Sequence, residues 1–387
     1  MYSYPPRLVP ILLAGLVAAA STPHAFALEA DAVGTRLKEA LSRQRIELDY
    51  DSAMLSGSDV TLEGVTLKSA QAGESLPLGT LVLEDVREHE DGSYRIETVE
   101  LENFEQQEDG ITVSMTDLAV SGLVVPPDGG DDPFGGFLRF ERVEAARLNV
   151  KNADGPIATA ENLYTNSAVS EDEQTIDMNG AIESFWLDLG AILESEKAVR
   201  TAEELGYQEV TGSAVMEGSW RASDGRVTLS RYEAAIDDAG MLTLMLDLAG
   251  YTPEFFRQLE ESGDQPMQGM AMLGMQQLTF HGAAVRFVDD GLAEKGLAHA
   301  AREQGSSPED IVSQLRAAIP LQLSPLLGEE LAGQIADAVG TFLESPDSIE
   351  ISARPASPLP FAMLMGAAMV SPEMLAKQIE LTIVTNE

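Results

Sequence analysis

The chain has 387 residues, a formal net charge of −40 and no cysteine. So large an acidic excess disfavours nucleic acid and bare anionic lipid surfaces as partners and leaves cationic ligands and divalent ions open. The missing cysteines exclude disulfides, thiol catalysis and cysteine metal sites together, and a chain of this length can stabilise itself by burial alone.

The first residues read as a secretory leader. Arg7 supplies the positive start, residues 8–20 the apolar run, and Ala25, Phe26 and Ala27 a small-x-small cleavage site. The run is about 13 residues, short of the roughly 20 that a bilayer-spanning helix needs, so cleavage before Leu28 and export are expected. Losing residues 1–27 removes one arginine and no acidic residue. No transmembrane segment is expected after cleavage.

A short amphipathic helix is predicted over 32–42, with Leu37 and Leu41 on one face, then a strand over 45–50. From there to about residue 165 almost no helix is expected. Strands are predicted over 59–67, 79–86, 93–104, 111–125, 137–150 and 157–164. Each carries a phrase of alternating apolar residues around an acidic or amide residue: VTLEGVTL, LVLEDV, TVELENF, SMTDLAVSGL, FERVEAARLNV and TAENLY. Recurrence roughly every 15 to 25 residues marks a repeating antiparallel meander. Turns fall at Glu90-Asp91-Gly92, Asp109-Gly110 and Ala153-Asp154-Gly155-Pro156. The longest interruption, PPDGGDDPFGG over 126–136, gathers aspartates that suit a calcium ion. It lacks the ordered spacing of an EF-hand, and a flexible exposed loop is the reading adopted.

The second half mixes strands and helices. A strand over 176–189 precedes a helix over 191–205, then three strands share 206–250. In the last of these Leu242, Leu244, Leu246 and Leu248 face one way, and Met241, Thr243, Met245, Asp247 and Ala249 the other. Its turns are Ser223-Asp224-Gly225 and Asp237-Asp238-Ala239-Gly240. Thr252 caps and Pro253 opens a helix bearing Phe255, Phe256 and Leu259. A strand over 277–288, a helix over 291–304, a Ser307-capped helix through Ile319 and a longer helix over 326–343 follow. The end holds a strand over 348–354, an apolar proline-punctuated stretch over 355–370, a short helix from 371 and a final strand over 379–384. The predicted fold class is α+β: a predominantly antiparallel β meander, curved or twisted, with helices packed on one face, mostly in the C-terminal half. Residues 28–170 are read as the repetitive meander and 171–387 as mixed sheet with C-terminal helices. The boundary is placed near 165–174, with a sheet continuous across it as the alternative.

Chemistry-bearing patterns are sparse. His89, His281 and His299 stand apart from one another, and no phosphate loop, nucleophile elbow or His-Glu-x-x-His occurs. Ser195 and Lys197, two apart on a helix, point away from each other. Carboxylates are too abundant for any dyad to be informative, and only Trp186 and Trp220 offer large stacking faces. Both are read as packing against the sheet. Met267, Met270, Met272 and Met275 have thioethers that could attract copper(I), but no His or Cys stands near. Adaptable apolar packing or lining is the reading adopted for them and for Met363, Met365 and Met369. No cofactor and no metal is assigned.

The phrases over 60–164, centred on Glu63-Gly64, Glu84-Asp85, Glu102-Asn103 and Asp117-Leu118, resemble the meanders of AsmA-like and TamB-like envelope proteins. The resemblance implies a long curved sheet with an apolar concave face, tied to lipid transport or envelope assembly. The chain is short for that group and shows no evident anchor. Segments around Leu205-Gly206-Tyr207, Asp237-Asp238-Ala239-Gly240 and Phe287-Val288-Asp289-Asp290 are similar to uncharacterised exported proteins of Gram-negative bacteria, which implies the periplasm.

The expected function is that of a non-enzymatic periplasmic envelope protein holding an apolar ligand (a lipid) or an envelope protein partner. Its expected ligand-binding residues are Leu242, Leu244, Leu246 and Leu248, with Met270, Met272, Phe361 and Met365 near the mouth. Each of these side chains would equally suit an ordinary core. One alternative is a structural scaffold with a packed core, showing an exposed edge strand or flat apolar patch and no cavity. The other is a carboxylate-dependent hydrolase with two acidic side chains facing each other in a concave pocket. A leucine face filled by the helix over 326–343 would leave no room for lipid.

Overall fold

In a computed structural model, the fold is described for residues 28–44, 46–69, 75–101, 103–108, 110–128, 132–261 and 266–386. The leader over 1–27 lies outside these residues, as do Arg45, Glu102 and Asp109 of the predicted strands and turns. Helix α1 (Ala30–Arg43) leads into β1 (Ile46–Asp49), β2 (Ser52–Ser56), β3 (Asp59–Ser69), β4 (Ser75–Glu88), β5 (Tyr94–Leu101), β6 (Phe104–Glu108), β7 (Ile111–Thr116), β8 (Ala119–Val125), β9 (Arg142–Lys151), β10 (Pro156–Val169) and β11 (Thr175–Asp188). Two short helices, α2 (Leu189–Ile192) and α3 (Glu196–Leu205), precede β12 (Glu209–Arg221), β13 (Arg226–Ile236) and β14 (Gly240–Ala249). Helices α4 (Pro253–Glu261) and α5 (Pro266–Gln277) lead to β15 (Thr279–Asp289); α6 (Leu292–Gln304), α7 (Pro308–Leu327) and α8 (Glu329–Glu344) lead to β16 (Ser348–Ala353). Then come β17 (Leu359–Pro360), α9 (Phe361–Val370), α10 (Pro372–Gln378) and β18 (Leu381–Thr385).

Among the described residues all 18 strands join one open antiparallel sheet, and with each interrupted strand counted once they pair in the order of the chain. The pairs β1/β2, β5/β6 and β7/β8 are each one strand interrupted, since they keep a single register against their neighbours. Pairing sequence neighbours needs only short connections, which is why long meanders read so plainly in a sequence. The boundary expected near 165–174 falls within a hairpin, where β10 and β11 pair from Ala158↔Leu187 to Val169↔Ile176.

The repeated phrases have a specific job. At their centres Gly64, Asp85, Asp117 and Asn162 take positive φ inside or between strands, a conformation that Gly, Asp and Asn tolerate best. Such a residue turns the strand and shifts its alternation by one; the pairing register slips at Gly64 and runs unbroken past Asp85 and Asn162. The apolar residues allow for it: Val60 and Leu62 are followed by Val65, and Leu81 and Leu83 by Val86, and all six are buried on one face. Further bulges interrupt β11/β12, β12/β13, β13/β14 and β14/β15 in turn.

Helix α1 buries Val33, Leu37 and Ala40 against this face over β3, β4, β5 and β8. It comes so close that a Cβ on Gly34 would sit 2.7 Å from the Tyr50 hydroxyl. Ser307 caps α7 as predicted, with Asp310 answering it in a capping box. The helix runs on past Ile319, where it was expected to end, through Pro320 and Pro325 to Leu327. The apolar stretch over 355–370, to which the sequence reading gave no element, holds α9.

The described residues of the loop over 126–136 are not uniformly exposed as expected: Pro126, Phe134 and Gly136 are buried. Phe134 is fully buried, 5.9 Å from the ring of Trp220, and Phe137 joins Trp220 and Phe256 at 6.2 and 5.4 Å. Its aspartates serve arginines: Asp132 pairs with Arg139 at 2.7 Å and Asp128 with Arg36 at 2.8 Å; Asp131 lies outside the described residues. The aromatic cluster ties this loop to β12 and α4.

Truncating Phe134 to alanine is expected to cost about 3–5 kcal/mol, as for other fully buried phenylalanines, read from urea unfolding followed by tryptophan fluorescence. Asp91 and Asp224 are among the carboxyls whose pKa the fold lowers. Ser93, through its backbone N–H and hydroxyl, holds Asp91 below the ordinary carboxylate value, and the Arg221 guanidinium holds Asp224 below it. The folded state therefore binds these protons less readily than the unfolded chain. Their stabilisation is present above the ordinary value of 3.8 and is lost as pH falls through the folded values. Asp224→Asn is expected to be less stable than the parent at neutral pH and to lose less of its stability on acidification, measured as urea midpoints from pH 7 downwards.

Candidate functional site

Residues paired directly across antiparallel strands lie on the same face, so register alone traces what the bulges preserve. From the N-terminal edge, Leu55 pairs Val60, then Leu83, Val99, Val120, Val143 and Thr165. The row continues through Gly180, Met216, Tyr232, Leu244, Val285, Ile351 and Ile383. From β9 onward a second row on this face runs Ala145, Leu163, Ile182, Ala214, Ala234, Leu242, Phe287 and Ile349. Neither row contains a charged residue. The other face carries the charges: Arg142 pairs with Glu144 at 2.7 Å, Arg231 with Glu217 at 3.3 Å, Arg226 with Asp247 at 2.6 Å and Arg286 with Glu350 at 3.9 Å.

The apolar stripe is covered at its two ends and open between them. At the N-terminal end α1 seals it, leaving Val60 and Leu83 with no exposure. At the C-terminal end α8 packs on β16 and β18, and its Phe342 meets Phe287 edge-on at 6.2 Å. Between them Leu242, Val285 and Ile351 remain 39%, 44% and 47% exposed. A hollow of about 330 Å³ follows the stripe from Met115 and Val143 through Leu163, Ile182 and Ala214 to Tyr232. Its lining includes Gly180, where a side chain would crowd the Tyr164 carbonyl. The seven strands β9 to β15 give this trough a length of roughly 29 Å at the usual strand spacing.

The residues expected to bind ligand divide into groups. Leu242 and Leu244 lie in the open trough. Leu246 pairs with Leu229 and Ala283 further down the same strand, and Leu248 is buried between Val227 and Phe280. Phe361 belongs to a separate cluster at that end, packed with Phe255, Leu259 and Leu278. Met270, Met272 and Met365 are exposed on α5 and α9, which pack together. The sequence reading missed Val143, Leu163, Ile182 and Met216. Their strands alternate less cleanly than β14, and only the register brings them into line with it.

Other chemistry is dispersed. Met270 and Met272, two residues apart on α5, project about 200° apart around the helix axis and cannot share one ion; the side chain of Met267 lies outside the described residues. Among the described residues no group of three His, Cys, Asp or Glu side chains is placed to hold a metal ion. Glu39 has its pKa raised, chiefly by a hydrogen bond shared with Asp128. This pair sits at the surface beside Arg36, away from the trough. A second apolar hollow, about 510 Å³, lies between α3 and the sheet and is lined by Leu205, Val210, Ile236 and Leu292. At its edge Lys295 donates to the Tyr207 hydroxyl at 3.0 Å.

A protein family described as "Uncharacterized protein" matches residues 233–386. The match takes in the last four residues of β13 and everything that follows to the end of β18, and thus the C-terminal part of the trough with all the helices from α4 onward. No curated protein matches the chain.

The absence of native cysteine makes the trough easy to probe. In Val285→Cys the thiol is expected to react rapidly with a maleimide, and in Leu83→Cys, beneath α1, only on unfolding. Mass spectrometry of the labelled chains reads the difference.

Proposed function

We propose that the protein is a non-enzymatic component of the periplasmic envelope that holds an acyl-chain lipid along the trough. The observation that carries this reading is the uncharged stripe left open between α1 and α8. A packed scaffold would show a flat apolar patch without a cavity, whereas this stripe carries a hollow of about 330 Å³. An exposed apolar patch of this extent, rimmed by charge on the reverse side, is how soluble proteins present a binding site. The trough's length, roughly 29 Å, is close to the 30 Å hydrocarbon thickness of a bilayer, two acyl chains end to end. Export through the leader over 1–27 would place the protein where such lipids are handled.

The experiment is native mass spectrometry of the protein purified from the periplasm of an expressing Gram-negative host, with organic extraction of whatever travels with it. A stoichiometric phospholipid or fatty acid is expected. Ala214→Trp, which fills the hollow, and Met216→Glu, which places a charge in it, are each expected to lower the bound lipid about tenfold, the effect of losing one well-buried apolar contact. A parent protein that is folded and carries no lipid would overturn the reading in favour of a scaffold.

A further inference from the structure

We infer that α9 and the second half of α7 form a docking surface for a lipid bilayer and enter the hydrocarbon of one leaflet. No charged residue lies between Arg354 and Glu373, nor between Arg316 and Glu329. The first interval contains α9, which buries none of its residues; Met369 and Val370 are each 85% exposed. The second interval contains the end of α7, where Leu321 is 80% exposed. Helix α10 packs against both α7 and α9, and Gly328, just past α7, lies against Glu373 at the start of α10. The two uncharged helix ends therefore sit side by side.

The kind of partner follows from the distribution of apolar residues around α9. A protein groove takes a helix by one apolar stripe, whereas a helix that is apolar on every side fits a core or hydrocarbon. Here no core encloses it. At 1.5 Å per residue its ten residues reach about 15 Å, half of the roughly 30 Å hydrocarbon thickness, enough for one leaflet and too short to span. The chain's net charge of −40 opposes anionic headgroups, so binding rests on apolar insertion into a zwitterionic surface. Phe361, at the root of α9, packs with Leu278 beside the foot of β15, which places this surface at the end of the sheet that the leucines of β14 descend towards.

The test is flotation of the purified protein with phosphatidylcholine vesicles, alongside its mass in solution by light scattering. The parent is expected to float with the vesicles and to do so equally in high salt. Met369→Asp with Val370→Asp is expected to reduce the floated fraction tenfold or more, and Leu321→Asp to reduce it independently, by about tenfold for each apolar side chain kept out of the bilayer. These side chains are exposed, so circular dichroism melts of the variants should match the parent. A parent that does not float would overturn the inference. So would flotation that survives all three substitutions, or a dimer that the substitutions dissolve, since the apolar surface would then belong to a second copy. Met216→Glu in the trough should float like the parent, which separates the failure of this docking surface from the failure of the lipid-holding reading.

Discussion

The structure depends on one constraint: a sheet that bends must still keep its apolar side chains on one face. Strict alternation would fail at the first bulge, because an added residue turns every following side chain over. The chain meets this with a three-residue step at each bend, as from Leu62 to Val65 across Gly64 and from Leu83 to Val86 across Asp85. With the step in place, one uncharged row can cross the whole sheet from Leu55 to Ile383. A bend without the step would place Val65 or Val86 in water and, at Asp85, an acidic residue beneath α1.

The same constraint sorts the charge. Acidic residues crowd the face away from the trough, where they pair with the few arginines available. Exposed pairs of this kind stabilise little, about 0–1 kcal/mol each, so the fold rests elsewhere. Two places supply the burial: the cluster beneath α1, and the aromatic group of Phe134, Phe137, Trp220 and Phe256 that joins a loop of the first half to a strand and helix of the second. Between and beyond these anchors the molecule leaves apolar surface uncovered, along the trough and at the tips of α7 and α9. Exposing that surface costs free energy.

Much of the secondary structure was legible in the sequence because its signals are local. The strands of the meander, the capping box of Ser307, the Pro253 helix start and the turn at Asp237 to Gly240 all depend on neighbours in the chain. The misreadings came where a tertiary partner overrode the local signal. The helix opened by Ser307 was ended at Ile319, yet α7 continues through Pro320 against α8. The glycine-rich loop over 126–136 was taken as exposed, yet Trp220 receives Phe134. The apolar residues over 355–370 carried no one-sided pattern, so α9 gave no amphipathic signal to find.

By itself the sequence determined the antiparallel meander, the acidic character and the two-faced leucine strand, since alternation and turn chemistry are written within a few residues. It also contained the bend positions, in the acidic and amide centres of its repeated phrases, though their meaning required the backbone angles. Only the tertiary structure decided which apolar residues share a surface. Val143, Ile182, Met216 and Leu244 lie far apart in the chain and meet through the register of five successive strand pairings, from β9 to β14, and a slip of one residue in any of them would turn the rows beyond it to the other face. Whether that surface is covered was likewise decided in three dimensions, by where α1 and α8 come to rest.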